Sequence, residues 1–396
     1  MPLLGFMPMK YMGHKGKMLP FLWEILSQRL EGVNTFADPF CGSGAVSWYL
    51  ATRAPIRVVA GDLQLYAAIR SSAVVERTEV VLDSEIKIEH WFSRAKCELE
   101  KVVNLFPWGI KGFLHTTNNQ TEMIAYVKRC RRFCSEVFPK LEISYKFGVT
   151  CAYGGYYFSP LQALILDALR GTVPQDPVIK NVFLAALIDA ASKCVAAPGH
   201  TAQPFQPTMA SIRYIEEAWR RNVWEAVSTS AEAISKLCAK KKGWVINGDF
   251  HECLKLLQPG DMVFADPPYS DVQYSRFYHV LETLARGDAV SVTGAGRYPA
   301  LSSRPASEFS RRSSALSAAL DLVTSCAERE LRLVVTFPTT KSSNGLSAGE
   351  FKNIAAELYP SVQEYFFESK FSTLGGNGIN RKGRMNSKES ILCMDF

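Results

Sequence analysis

The chain has no apolar run long enough to span a bilayer. Its longest runs, Leu161–Leu166 and Val182–Ile188, are short and flanked by polar residues. Cysteines at metal-binding spacing are also missing. Ten are scattered without a CxxC pair, and Cys130 with Cys134 bring two thiols where a structural zinc takes four ligands. No metal is expected, and the cysteines read as reduced, mostly buried small hydrophobes of a cytoplasmic protein. A secretory leader is not expected, because Lys10, His14, Lys15 and Lys17 break any apolar stretch near the start. Internal repeats and low-complexity tails are absent. Charge bias is slight: a net +7 permits a nucleic-acid partner without requiring one.

What is there is a globular composition, 47% hydrophobic and 21% charged, which excludes wholesale disorder. A length of 396 residues suits one large domain or two ordinary ones. The first segment reads as strand Asn34–Ala37, a turn over Asp38–Gly44, helix Ala45–Thr52 ended by Pro55, and strand Arg57–Ala60 closed by Gly61-Asp62. A strand–helix–strand unit implies a parallel sheet with right-handed crossovers. From 84 to 242 the pattern turns helical, with helices expected over Thr121–Phe138, Pro160–Leu169, Val178–Val195 and Ile212–Ala239. Strands return at Trp244–Asn247, Met262–Ala265 and Leu331–Phe337, and a hairpin is expected from Tyr365–Phe371 and Ser390–Phe396 around Gly375-Gly376-Asn377-Gly378. The stretch Gly287–Ser314, rich in Gly, Ser, Arg and Pro, reads as a long mobile loop. Carrying Arg297, Arg304, Arg311 and Arg312, it is expected to order on a polyanion.

The chemistry centres on Asp266-Pro267-Pro268-Tyr269, directly after the apolar strand Met262–Ala265. Two prolines stiffen the strand exit and remove two amide donors, leaving carbonyls exposed to a ligand. An ionised Asp266 only accepts hydrogen bonds, and the Tyr269 ring offers a stacking face. Acceptor, carbonyl and aromatic face together suit a heteroaromatic amine. The ordinary alternative is a proline-stiffened strand exit with a packed tyrosine. The second feature is Asp38-Pro39-Phe40-Cys41-Gly42-Ser43-Gly44. Its glycines let backbone approach a ligand closely, and Asp62 ends the next strand, where a carboxylate can hold ribose hydroxyls. It is not a full dinucleotide fingerprint, because Ser47 stands where a third glycine would fall. That argues against a nicotinamide-dependent oxidoreductase.

Met9-Lys10-Tyr11-Met12-Gly13-His14-Lys15, Asp38–Gly44, Gly248-Asp249-Phe250 and Asp266–Tyr269 follow one another in an order that resembles the Dam-like class of bacterial DNA adenine amino-methyltransferases. The resemblance covers roughly Met9–Arg70 and Trp244–Phe396. It departs at His14, where the family usually has a second glycine. It implies an α/β fold: an S-adenosylmethionine-dependent, Rossmann-like methyltransferase sheet (1–83 and 243–396) with a mostly helical insertion (84–242) as target-recognition region. It implies that S-adenosylmethionine is held by Tyr11, Lys15, Asp38, Pro39, Phe40, Gly42 and Gly44, with Asp62 on the ribose and Asp249 on the adenine amine. For Lys15 taken alone, a solvated lysine is the commoner reading. Asp266 and the Pro267 carbonyl would accept the two N–H groups of a flipped adenine, Pro268 would stiffen the turn and Tyr269 would stack. Aspartate favours adenine, since serine is the usual cytosine variant in the family. RNA adenine or DNA cytosine-N4 methylation, or a silent DNA-binding relative, are the alternatives.

The implied partner is double-stranded DNA, with a cognate restriction or defence component as a further candidate. Arg129, Arg131, Arg132, Arg276, Arg304 and Arg311 are candidate DNA contacts; an ordinary solvated helix face is the bland reading of the first three. Tyr274 and Tyr278 line either the DNA side or the core, on a helix opened by Ser275. His200 and His279 read as structural.

Overall fold

The computed structural model of the chain describes residues 15–105, 119–372 and 384–396. Seven strands form one sheet: β1 (Thr35–Asp38), β2 (Arg57–Asp62), β3 (Trp244–Asn247), β4 (Met262–Ala265), β5 (Arg332–Pro338), β6 (Ser361–Ser372) and β7 (Arg384–Asp395). Their order is β3-β2-β1-β4-β5-β7-β6. The first five are parallel, and β7 runs antiparallel between β5 and β6. The central strands, Thr-Phe-Ala-Asp and Met-Val-Phe-Ala, bury every residue, as strands covered on both faces do.

The chain leaves β1 toward β2 and β3 on one side and leaves β4 toward β5 on the other. The order therefore reverses between β1 and β4, and the crevice outside their carboxyl ends is where ligands bind in such sheets. Asp261, buried at the opposite end, fixes this junction. Its Oδ1 accepts the amides of Asn34 (3.1 Å) and Thr35 (2.8 Å), and its Oδ2 accepts that of Gln258 (2.9 Å). One core packs Leu322 and Phe351, from helices Ala315–Ala327 and Ala348–Leu358, with Leu333, Phe337 and Leu392 of the sheet. Ser347 and Glu350 form a capping box at the start of the second helix.

The described residues divide into two compact units. The sheet unit takes 15–71, 239–274, 306–372 and 384–396, and the helical unit takes 72–105, 119–238 and 275–305. Compared with the helical stretch expected over 84–242, the helical unit begins earlier, gives up 239–242 and adds 275–305. Its core stacks Trp91 on Phe183 at 4.7 Å, and the Trp91 indole donates to the Leu169 carbonyl at 2.9 Å. The single helix expected over Ile212–Ala239 is two, Ile212–Trp219 and Val223–Ser235. Asn222 turns extended between them, and its side chain accepts the amides of Trp224 (3.1 Å) and Glu225 (3.4 Å), which restarts the helix. Among the described residues no helix is long and apolar enough to cross a membrane.

The long loop expected over 287–314 is instead a built segment. In the helical unit, Val292–Thr293 pairs with Tyr298–Pro299. The Tyr298 hydroxyl donates to the Ala202 carbonyl, and the Arg297 guanidinium donates to the carbonyls of Ala152 (2.7 Å) and Cys151 (3.1 Å). In the sheet unit, Phe309 is buried and meets Phe40 edge-on at 5.4 Å. Composition hid these anchors, because a few well-placed aromatic and guanidinium groups hold a stretch that is otherwise polar.

Candidate active site

Two strand exits meet at the reversal point. The first leaves β1 at Asp38. Gly42 and Gly44 take left-handed backbone, φ +49° and +73°, and Gly44 opens the helix Ala45–Ala51. The turn is held from beneath. Asp62, at the end of β2, accepts the amides of Gly42 (2.9 Å) and Gln64 (2.8 Å) through its two oxygens. Buried Arg70 donates to the Ser43 carbonyl and lies over the Trp48 ring, whose indole donates back to the Arg70 carbonyl at 3.0 Å. Pro39 is buried and Phe40 half-buried, and the Phe40 ring lies 6.0 Å from that of Phe250.

Asp38 itself is 1% exposed, and its Oδ2 accepts the Ser47 hydroxyl at 2.6 Å. Ser47, where a nucleotide fingerprint would carry glycine, thus orients the carboxylate. Burial, with the nearby charges of Asp266 and Asp62, pushes the Asp38 pKa up to about 7 against the pull of Ser47. Carboxylates crowded at one sheet edge favour a cationic ligand.

The second exit leaves β4 at Asp266. One carboxylate oxygen accepts the Thr336 hydroxyl of β5 at 2.8 Å and lies 3.0 Å from the Lys15 ammonium. Lys15 sits in a single turn of 3-10 helix, 7% exposed, and also binds Glu389 of β7 at 2.7 Å. Burial alone would lower the Lys15 pKa, but Asp266 and Glu389 outweigh it and hold the ammonium charged. Burial raises the Asp266 pKa above the usual carboxylate range, Lys15 opposes the rise and Glu389 adds to it. The result is a more basic carboxylate than a solvated one, fixed beside a permanent cation. Asn344 donates to the Pro268 carbonyl (3.1 Å) and the Phe309 carbonyl (3.0 Å), which locks the proline turn. The Pro267 carbonyl accepts no hydrogen bond among the described residues. Tyr269 is half-buried, its ring edge-on to Tyr274 (6.4 Å) and Phe337 (6.3 Å).

Lys15, Asp38, Pro39, Phe40, Gly42, Gly44, Asp62 and Asp266–Tyr269 therefore share the carboxyl edge of β1, β2 and β4. Asp249 stands at the exit of β3, exposed, where it caps a short helix by accepting the His251 amide at 2.9 Å. Tyr11 lies outside the described residues. Thr336, Asn344, Arg70 and Glu389 were not singled out from sequence, and each reaches the site from a distant part of the chain.

The arginines scatter. Arg131 is not a solvated helix face: its guanidinium donates to the carbonyls of Gly155 (3.0 Å) and Phe205 (2.7 Å) and to Gln206 (2.9 Å). Its donors serve the helical unit in this structure, and a contact with DNA from Arg131 stays a proposal. Arg129 is exposed, and Arg132 is exposed with Glu136 at 3.4 Å. Arg276 and Arg304 both lie over the Tyr298 ring, and Arg311 pairs with Glu308 at 2.6 Å. Tyr278 is 1% exposed and belongs to the core. The ring nitrogens of His279 lie 3.0 Å from the Arg276 and Gly296 carbonyls, and burial lowers its pKa to about 4. His200 is buried, which lowers its pKa too.

A mostly parallel sheet reversing between β1 and β4, with a glycine turn on one exit and Asp-Pro-Pro-Tyr on the other, has the architecture of an S-adenosylmethionine-dependent methyltransferase. The chain matches the D12 class N6 adenine-specific DNA methyltransferases over residues 11–157 and 219–335, and it belongs to that family. It is similar to modification methylase LlaI of Lactococcus lactis subsp. lactis, 23% identical over 289 residues, covering 72% of this chain and 40% of the relative. It is also similar to Type II methyltransferase M.FokI of Planomicrobium okeanokoites, 23% identical over 298 residues, covering 72% of this chain and 38% of that protein. The chain thus spans about 40% of the length of these relatives.

Proposed function

We propose that the chain transfers a methyl group from S-adenosylmethionine to the N6 amine of adenine in DNA. The observation that carries this is Asp266: an acceptor at the exit of β4, held by Lys15 and Thr336, next to a Pro267 carbonyl that accepts no hydrogen bond among the described residues. Two acceptors in one turn match the two N–H groups of an exocyclic amine. The family description, N6 adenine-specific DNA methyltransferase, supports DNA as the substrate, and the names of the two relatives, a modification methylase and a Type II methyltransferase, support methyl transfer.

The residues present fit the cofactor. Burial above all, and then the charges of Asp266 and Asp62, disfavour an ionised Asp38, and a ligand bearing a sulfonium and an ammonium offsets both. The Asp38–Gly44 turn and Asp62 would hold it, with Asp249 at the β3 exit for its base. When bound it supplies an electrophilic methyl group.

The chain's own residues do the rest. The adenine amine is a poor nucleophile because its lone pair is delocalised into the ring. Accepting both N–H bonds, Asp266 and the Pro267 carbonyl draw that lone pair out of the plane and aim it. The basic Asp266 carboxylate receives the proton that the methylated amine must lose. Tyr269 stacks on the base, which leaves the helix because its N6 is inaccessible inside a duplex. Alignment of this kind contributes on the order of 7–11 kcal/mol to a barrier.

The test is transfer of labelled methyl to duplex DNA, single-stranded DNA and RNA, followed by digestion to nucleosides. N6-methyldeoxyadenosine from DNA is expected. Label only in RNA, or on cytosine N4, would replace this reading with one of its neighbours, and no label would overturn it.

A further inference from the structure

Asp266 is not held by its neighbours on the sheet alone. Its cation, Lys15, comes from before β1, and Lys15 is in turn fixed by a second carboxylate from the last strand. Glu389 Oε2 lies 2.7 Å from the Lys15 ammonium, closer than Asp266 Oδ1 at 3.0 Å. All three groups are largely buried, at 7% exposure for Lys15, 20% for Asp266 and 14% for Glu389. A flexible lysine with one buried anionic partner can swing; one clamped between two cannot.

The position of Glu389 is itself built. β7 pairs Glu389 with Pro338 of β5 and, two residues on, Ile391 with Thr336. Thr336 is the residue that donates to Asp266. Thr339 binds the Lys388 carbonyl through its amide and its hydroxyl, both at 3.1 Å, which pins the backbone beside Glu389. Lys388 faces elsewhere, 3.9 Å above the Phe366 ring, and does not compete for the carboxylate. Among the described residues, the groups facing Lys15 are then Asp266, Glu389 and the Tyr269 hydroxyl, with Asp38 beyond Asp266.

Resting on the reading of Asp266 as the acceptor of the target amine, we propose that Glu389 is a positioning residue for methyl transfer. It fixes the Lys15 ammonium against Asp266, so that the carboxylate presents one constant oxygen geometry to the amine. Glu389 also raises the proton affinity of Asp266 by its charge, which favours uptake of the proton the product amine releases. It touches neither substrate: it holds Asp266 in place through Lys15, and its charge acts on the proton affinity of Asp266 through space.

The test compares Glu389→Gln, Glu389→Asp, Lys15→Met and the double variant Lys15→Met/Glu389→Gln in the full chain, each checked for an intact thermal transition. Glu389→Gln is expected to lower kcat about 10- to 100-fold, the scale of a small misplacement, with KM for both substrates unchanged. The acid limb of its kcat–pH profile should move to lower pH, because Asp266 loses a negative neighbour. Glu389→Asp, which keeps the charge, should restore part of kcat. In the Lys15→Met background, Glu389→Gln should add no further loss of kcat on the pH plateau, since the positioning effect runs through Lys15, and should only move the acid limb. Full activity with an unmoved pH profile in Glu389→Gln, or losses that multiply in the double variant, would overturn the inference while methylation by the unaltered chain left the wider reading standing. No methylation by the unaltered chain would overturn both. If Glu389→Gln does not fold, Glu389→Asp decides: kcat and profile identical to the unaltered chain contradict a positioning role that depends on reach.

Discussion

Removing the charge from Asp38 should change how the protein responds to pH in two measurable ways. Asp38 is 1% exposed and bonded to Ser47, and its pKa is pushed up to about 7 from an ordinary 3.8, burial being the largest cause. A raised carboxylate pKa means the folded state binds the proton more tightly than the unfolded chain. Stability is therefore lost as pH rises from about 4 through 7 and is regained on acidification. Some three units at 1.36 kcal/mol each give a loss of about 4 kcal/mol across that window, as an upper bound. Asp38→Asn keeps an acceptor for Ser47 and carries no charge, so it should flatten this slope. Asp167 of the helical unit has the same direction and value, and it stays in both proteins; the difference between them isolates Asp38. A cationic cofactor prefers ionised Asp38, so its affinity for the native chain should rise up to about tenfold per pH unit below 7 and level off above. Urea titrations at pH 5, 6, 7 and 8, with calorimetry of S-adenosylmethionine binding at each, supply both readings. Equal slopes for Asp38→Asn and the unaltered chain, in stability and in binding, would refute the reasoning.

Three further outcomes are expected. Asp266→Asn turns one acceptor into a donor facing Thr336 and Lys15, so kcat should fall at least about 100-fold with S-adenosylmethionine affinity nearly unchanged, by single-turnover kinetics and calorimetry. Gly44→Ala places a side chain on φ +73° with its Cβ 3.1 Å from Ser71 Oγ and 3.3 Å from Trp48 Nε1. It should cost about 1–2 kcal/mol, lower Tm and weaken the cofactor. Arg131→Ala removes bonds to Gly155, Phe205 and Gln206 and should lower Tm, whereas neutralising exposed Arg129 and Arg132 should spare stability and flatten the salt dependence of DNA binding by about 0.9 per phosphate contact.

Strand exits were legible because their information is local. Met262–Ala265 is an apolar run closed by two prolines, and the Asp38–Gly44 turn announces itself through Gly42 and Gly44. The strands around them lie within a residue or two of their expected places. What a linear reading missed is held across the chain. Lys15 taken alone reads as a solvated lysine, and only the family resemblance placed it in the site, because nothing near it in sequence supplies the two carboxylates that bury it; Glu389 is 374 residues away. Arg131 sits in a basic cluster that looks solvated, yet its partners are loop carbonyls brought up by the fold. Asn222 is a cap that sequence alone permits reading, since asparagine favours that place. Phe309 shows the opposite limit: with Tyr298 and Arg297 it anchors a stretch whose composition is otherwise polar.

The central claim, that Asp266 serves an adenine amine in DNA, is tested most directly inside a cell. Genomic DNA from cells lacking adenine methylation, expressing either the unaltered chain or Asp266→Asn at equal level, is digested to nucleosides and analysed by mass spectrometry. N6-methyldeoxyadenosine should appear with the unaltered chain, confined to one sequence motif, and be near background with Asp266→Asn. Equal N6-methyldeoxyadenosine from both proteins, or modification found on cytosine alone, would contradict it.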